Sequence, residues 1–177
     1  MKRIVWVLAA LVSLAVLAVL AFQGPDRRQS LVEHQAEGKM KHLATDSVTS
    51  VRASSSAGTH YFKRAADGQW LLSRPAADAG VSAATGAAIE AGLRLLHNTL
   101  PERNFETEIP EFGLSAPVLE LALQTVDGQS FEATFGATNP MGIAQYVRIR
   151  CGGQTTVHLM PTYVAQAWAP TLGGVAK

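Results

Sequence analysis

Side chains able to do chemistry are few and scattered in these 177 residues. The five histidines, His34, His42, His60, His97 and His158, form neither an HxxxH nor an HExxH pair, so any metal site would have to be assembled by the fold. Glu102, Glu106, Glu108 and Glu111 make an acidic patch. Paired-carboxylate catalysis needs one carboxyl buried enough to keep its proton, and this polar stretch reads instead as a solvated loop. Ser54-Ser55-Ser56 lacks the glycine-framed strand-to-helix turn of a hydrolase nucleophile. Cys151, the single cysteine, has no basic cluster beside it to hold a thiolate, and alone it can form neither an intrachain disulfide nor a CxxC redox or zinc pair. The glycines of Gly136 and Gly142 are not followed by the lysine and hydroxyl of a phosphate loop. No catalytic, cofactor-binding or metal-binding residue is assigned, and no cofactor is expected.

The rest of the composition concerns placement. It is 47% hydrophobic and 16% charged, which excludes a wholly disordered chain and a collagen-like repeat. From Ile4 to Phe22 the only polar residue is Ser13. As a helix this run measures about 28 Å, close to the hydrocarbon thickness of a bilayer. Lys2 and Arg3 precede it and keep the amino terminus, residues 1–3, in the cytoplasm. The expectation is a transmembrane anchor over 4–22 with the C-terminal domain outside. A cleaved signal peptide is the rival reading, because Val19-Leu20-Ala21 offers the small residues that signal peptidase prefers. Without Lys2 and Arg3 the fifteen Lys and Arg fall to thirteen against fourteen Asp and Glu, a charge of −1 for residues 23–177. That exterior part has no electrostatic footprint for nucleic acid.

Residues 23–46 are polar, open with Gly24-Pro25 and read as a stalk with a short helix over Gln29 to His42. A domain over 47–169 follows, then a flexible tail over 170–177. Within the domain, Thr59 to Arg64 and Trp70 to Arg74 have strand composition around an Asp67-Gly68 turn, and Pro75 ends the second strand. Trp70 reads as a core plug rather than a ligand-stacking residue. Over Val81 to Leu96, Val81, Ala84, Ala88, Ala91 and Leu95 recur at helical spacing and Ile89, Leu93, Leu96 and Leu100 extend the same apolar stripe, with Ser82 or Asp78 to cap the helix and Asn98 and Pro101 to end it. Leu119, Leu121 and Leu123 alternate along one strand, Asp127-Gly128 turns the chain, and Phe131, Ala133 and Phe135 answer at the same period. Tyr146 to Arg150 and Thr156 to Met160 flank a second turn at Cys151-Gly-Gly-Gln154, and Pro161 can start a last helix through Trp168. The fold class expected is α+β: antiparallel β-hairpins packed with one principal helix.

Several turns should fix this framework. Gly113 can adopt a backbone conformation costly for other residues, Pro117 sets the entry into the next strand, and Gly128 and Gly136 are read as turn glycines. The connection Gly136 to Gly142 carries an Asn139-Pro140-Met141 tip on a rigid hairpin, a favoured place for partner contact. Arg148 and Arg150 alternate with inward Val147 and Ile149, face outward, and are candidates for pairing with an acidic partner surface. These five are the candidate partner-contact residues.

The order of these motifs resembles the DUF4340 domain family. The resemblance is carried by Asp67-Gly-Gln-Trp70 with Pro75, Glu111-Phe-Gly-Leu-Ser-Ala-Pro117, Asp127-Gly128, Phe135-Gly136 and Gln145-Tyr-Val-Arg148, and spans roughly residues 48 to 168. It implies an envelope domain of mixed helix and sheet, often membrane-tethered and in some members associated with transporter-like or motility systems, with no catalytic residue to carry over. The functional expectation is a non-enzymatic accessory or assembly factor at the bacterial inner membrane. Its partners would be other envelope or inner-membrane proteins and, through residues 4–22, the bilayer. A periplasmic small-ligand-binding module and an envelope enzyme with an unrecognised site are the alternatives.

Overall fold

The computed structural model describes residues 43–173. The expected anchor at 4–22 and most of the expected stalk lie outside the described residues, and among those described no helix is long and apolar enough to cross a membrane. Nine strands form one sheet in the order β4-β3-β2-β1-β6-β7-β8-β9-β5, each paired antiparallel to its neighbours. They are β1 Val48–Ser55, β2 Gly58–Arg64, β3 Trp70–Leu72, β4 Ala79–Gly80, β5 Arg103–Phe105, β6 Leu119–Thr125, β7 Ser130–Thr138, β8 Ala144–Cys151 and β9 Gln154–Pro161. The mostly antiparallel sheet with a few helices is the α+β class expected.

The hairpins follow the turn chemistry. Asp67 Oδ1 accepts from the Gln69 amide, and Gly68 and Gly128 take positive φ. Gly152 and Gly153 have φ of 55° and 82°, which suits the two-residue turn that joins twisted strands β8 and β9.

One connection sets the layering. β4 and β5 are consecutive strands at opposite edges of the sheet, so the chain between them must cross every other strand. It does so as helix α1, Ala83–Asn98. Ser82 caps its start by accepting from the Thr85 amide, a bond of the kind that contributes about 1 kcal/mol. Sixteen residues of helix reach about 24 Å at roughly 1.5 Å each. The face turned to the sheet is Thr85, Ala88, Ile89, Gly92, Leu93 and Leu96, while Ala84 and Leu100 from the expected stripe are exposed. Opposite it lie the inward residues of the strands, with Phe62, Phe131 and Phe135 almost fully buried. Each such ring stabilises by about 1.5–3 kcal/mol through removal of apolar surface from water.

The domain extends past both expected boundaries. Leu43, assigned to the stalk, is fully buried, and Thr45–Ser47 form a 3-10 turn leading into β1. At the other end Pro161 closes β9, α2 is only Tyr163–Gln166, and the expected tail holds a further short helix, α3, Ala169–Gly173. Residues 169–173 pack onto the domain because Trp168 and Thr171 are each fully buried in the core, and the rest of the expected tail, 174–177, lies outside the described residues. Gly92 lets α1 sit directly on Trp168: a Cβ there would lie 2.4 Å from the indole.

Candidate interaction surface

The loop between β7 and β8 is shorter and more ordered than the seven-residue connection read from Gly136 to Gly142. β7 continues to Thr138 through an irregularity after Phe135, where the buried Gln145 side chain donates to the Gly136 carbonyl at 2.7 Å. Asn139 then turns the loop from within. Its Oδ1 accepts from the Ile143 and Ala144 amides at 3.1 and 3.2 Å, and its own N–H donates to the Ala144 carbonyl at 2.7 Å. Asn139, expected as a contact residue, is thereby committed to the loop. Pro140 and Met141 do project, and Met141 is 75% exposed.

Two further apolar side chains join them. Ile143 is 55% exposed, and its carbonyl accepts from the Thr162 amide at 3.1 Å and the Thr162 hydroxyl at 3.3 Å. Those bonds bring the start of α2 against the loop and with it Tyr163, 49% exposed. Met141, Ile143 and Tyr163 thus share one end of the sheet on a backbone fixed by Asn139 and Thr162. Sequence reasoning missed Ile143 and Tyr163, since their exposure depends on a strand end twenty residues away.

The two arginines differ. Both leave the sheet on the face away from α1, as alternation requires, but Arg148 is engaged there. Its guanidinium donates to both carboxylate oxygens of Glu108 at 3.1 and 3.2 Å and to the Leu114 carbonyl at 3.5 Å. Only 18% of its side chain is exposed. Arg148 therefore clasps the segment 103–118 to the sheet and is not free to meet a partner, and Glu108 is its anchor rather than part of a purely solvated acidic loop. Arg150 is 54% exposed, 3.6 Å from Glu132, and stays available.

The clasped segment forms a strap over β7–β9. Its first residues pair as β5 with β9. Its later residues stack Phe112 on Tyr146 at 4.1 Å between centroids, with Phe105 at 4.7 Å from Phe112, over Val157 and beside Leu114. Gly113 ends the Pro110–Phe112 3-10 turn with φ 65° and ψ 19°, the left-handed conformation expected. Pro117 follows half-buried, and the next amide, Val118, bonds to the Phe135 carbonyl at 2.9 Å to begin β6. Gly136 is not a turn residue. It lies inside β7 where the strap crosses, and a Cβ there would meet the Phe112 carbonyl oxygen at 2.1 Å.

Ion pairs aside, the titratable groups among the described residues lie apart from one another. Among the described residues no three His, Cys, Asp or Glu side chains are placed to hold a metal ion. His158 is 1% exposed, on the helix side of β9, with its ring nitrogens 2.8 Å from Asn104 Oδ1 and 2.9 Å from Thr156 Oγ1. Burial holds its pKa below the ordinary imidazole value. Burial also pushes the Cys151 thiol up, away from nucleophilic use. Asp127 shifts the other way, its carboxyl lowered first by the Thr125 hydroxyl that donates to it. Trp70 is buried as a core plug. Its indole N–H donates to Glu90 at 2.8 Å, and Arg64 pairs with the same carboxylate while lying 4.8 Å over the ring.

Comparison with known family models, with curated proteins and with solved structures finds no match for this chain.

Proposed function

We propose that this chain is a non-enzymatic accessory or assembly factor of a bacterial envelope complex, acting by protein–protein contact. In this reading residues 4–22 hold it in the inner membrane, the amino terminus stays inside, and the domain stands in the periplasm. Its partners are other envelope or inner-membrane proteins. The resemblance to the DUF4340 family agrees with that placement.

The observation that carries the reading is the apolar tip of Met141, Ile143 and Tyr163. Single exposed apolar residues are ordinary, but three fixed together at one end of a rigid sheet make a surface that association can desolvate. Holding them on an already ordered loop lowers the entropy lost on binding. Arg150 is not part of that tip, and offers a charge for orientation rather than affinity.

The test is extraction of the full-length protein in mild detergent, followed by co-purification and mass spectrometry, with an anchor-swapped control. Partners that survive the anchor swap and are lost in Met141→Asp with Ile143→Asp support the reading. A chain that emerges alone under several mild conditions, or partners indifferent to the two substitutions, sinks it.

A further inference from the structure

Away from the apolar tip, near one edge of the sheet, a strand is left incompletely paired. β2 is seven residues long, yet β3 covers only Phe62, Lys63 and Arg64. One more bond, from the Ser73 amide to the Tyr61 carbonyl at 2.7 Å, ends that ladder. Continuing the same register would set Pro75 opposite Thr59, and proline has no N–H to donate.

The direction of the Thr59 backbone follows from the hairpin on its other side. Ser56-Ala57 is a two-residue turn closed by the pair Ser55 and Gly58, so the mutually bonded pairs of β1 and β2 alternate through Ala53 with His60 and Val51 with Phe62. Thr59, like Tyr61, therefore aims its N–H and C=O away from β1, at the open side. Among the described residues a short stretch of edge is left there with backbone groups a further strand could pair, the usual template for strand addition.

An open groove of about 800 Å³ lies along this edge, lined in part by Thr59, His60, Lys63, Leu72, Arg74 and Leu172. Its lining contains two cations and a histidine and no carboxylate. Lys63 and Arg74 are exposed, Leu72 is buried and Leu172 half-buried, so the lining offers both positive charge and apolar surface. An added strand, whose successive side chains point to opposite sides, can present acidic and apolar groups together to such a lining.

We infer that this groove receives an extended acidic peptide segment of a partner protein, added to the edge of β2 at Thr59. Its carboxylates meet Lys63 and Arg74, and its apolar side chains meet Leu72 and Leu172. The inference rests on the reading of the chain as a protein-binding module but uses a surface separate from the Met141 tip, with β1 and β6 between β2 and β7.

The test uses the full-length chain in detergent micelles and a fluorescein-labelled, end-blocked octapeptide alternating glutamate with valine, followed by fluorescence anisotropy. Saturable binding is expected, weakening as salt rises from about 50 to about 300 mM. Binding should fall at least roughly tenfold in the double variant Lys63→Glu, Arg74→Glu, both exposed positions whose change leaves the core untouched. Hydrogen exchange of the Thr59 amide should slow when the peptide is added, and a lysine–valine octapeptide should not bind. No binding of the glutamate–valine peptide, or binding indifferent to the double variant, overturns the site. Displacement by inorganic phosphate or free glutamate as effectively as by unlabelled peptide, with no protection of Thr59, overturns the peptide reading in favour of a small-anion site. Met141→Asp with Ile143→Asp should leave this assay unchanged, so the failure of either reading shows separately.

Discussion

The inner face of the sheet is covered by a helix that fits through side-chain shape, whereas the outer face is covered over β7–β9 by a strap that fits through backbone approach. On the inner side α1 meets Trp168 at Gly92, where a Cβ would overlap an indole ring. On the outer side the strap crosses β7 at Gly136, where a Cβ would overlap the Phe112 carbonyl. A side chain can shift by a rotamer adjustment, but a carbonyl in a 3-10 turn moves only if the strap moves. Beyond the strap no described residue covers the outer face across β1 and β2, where Arg52, Thr59, Tyr61 and Lys63 are exposed. The helix side is thus built for stability throughout, and the outer side leaves room for contact.

That comparison is most sharply broken at Gly136. Gly136→Ala places a methyl group against backbone and should cost at least the about 1–3 kcal/mol typical of overpacking, with the strap displaced. The measurement is denaturant unfolding together with fluorescence of Tyr146, whose stacking on Phe112 depends on the strap. A change below about 0.5 kcal/mol would refute the close crossing.

Gly92→Ala comes next, at about 1–3 kcal/mol, because the clash is with a side chain. Trp168 is fully buried, and its indole N–H has no hydrogen-bond partner among the described residues, so its placement is a matter of shape. Trp168→Phe should then relieve part of the Gly92→Ala penalty. A double-mutant cycle that proves additive within about 0.5 kcal/mol would disconnect the two positions.

How much of this was legible in the sequence divides along the same line. The alternation of Leu119, Leu121 and Leu123 with Phe131, Ala133 and Phe135, and the Asp67-Gly68 and Asp127-Gly128 turns, are local signals, and the strands and hairpins follow them. The helical spacing after Val81 found α1, although Thr85 and Gly92 replaced part of the expected stripe. The strap left no such signal. Arg103 to Phe105 is too short to show a period and becomes a strand only by pairing with the edge of β9. Gly136 was read as a turn because a glycine needed for close approach looks, in sequence, like one needed for a turn. Arg148 looked free because its partner Glu108 lies forty residues away. Of the candidate site, the exposed tip at Pro140 and Met141 was visible, while Ile143 and Tyr163 required the bonds from Thr162.

The arginine pair tests the outer cover more gently. Arg148→Ala should cost on the order of 1 kcal/mol, discounted because Glu108 is more than a third exposed, and should loosen the strap. Arg150→Ala should stay within about 0.5 kcal/mol. Hydrogen exchange across 103–118 separates them: faster in the first variant and unchanged in the second. Equal behaviour would mean that Arg148 is no clasp.

The smallest effect at neutral pH is that of His158, and it grows only with acid. Its folded pKa lies below the ordinary value of about 6.5, so above that pH both folded and unfolded chains hold it neutral and stability is indifferent to its titration. As the pH falls below about 6.5 the unfolded chain takes up a proton that the buried ring resists. Stability is lost until the folded pKa is passed, where the loss levels off. The cause is desolvation, and the groups bonded to the ring, Asn104 and Thr156, carry no charge to offset it. His158→Gln should flatten this part of the profile even if it lowers stability throughout. Thermal melts of both proteins between about pH 8 and pH 5 decide it: parallel curves would remove His158 as the cause. Divergence below about pH 6.5 would place the acid-sensitive point at the β5–β9 edge, where strap and sheet first pair, rather than at the helix.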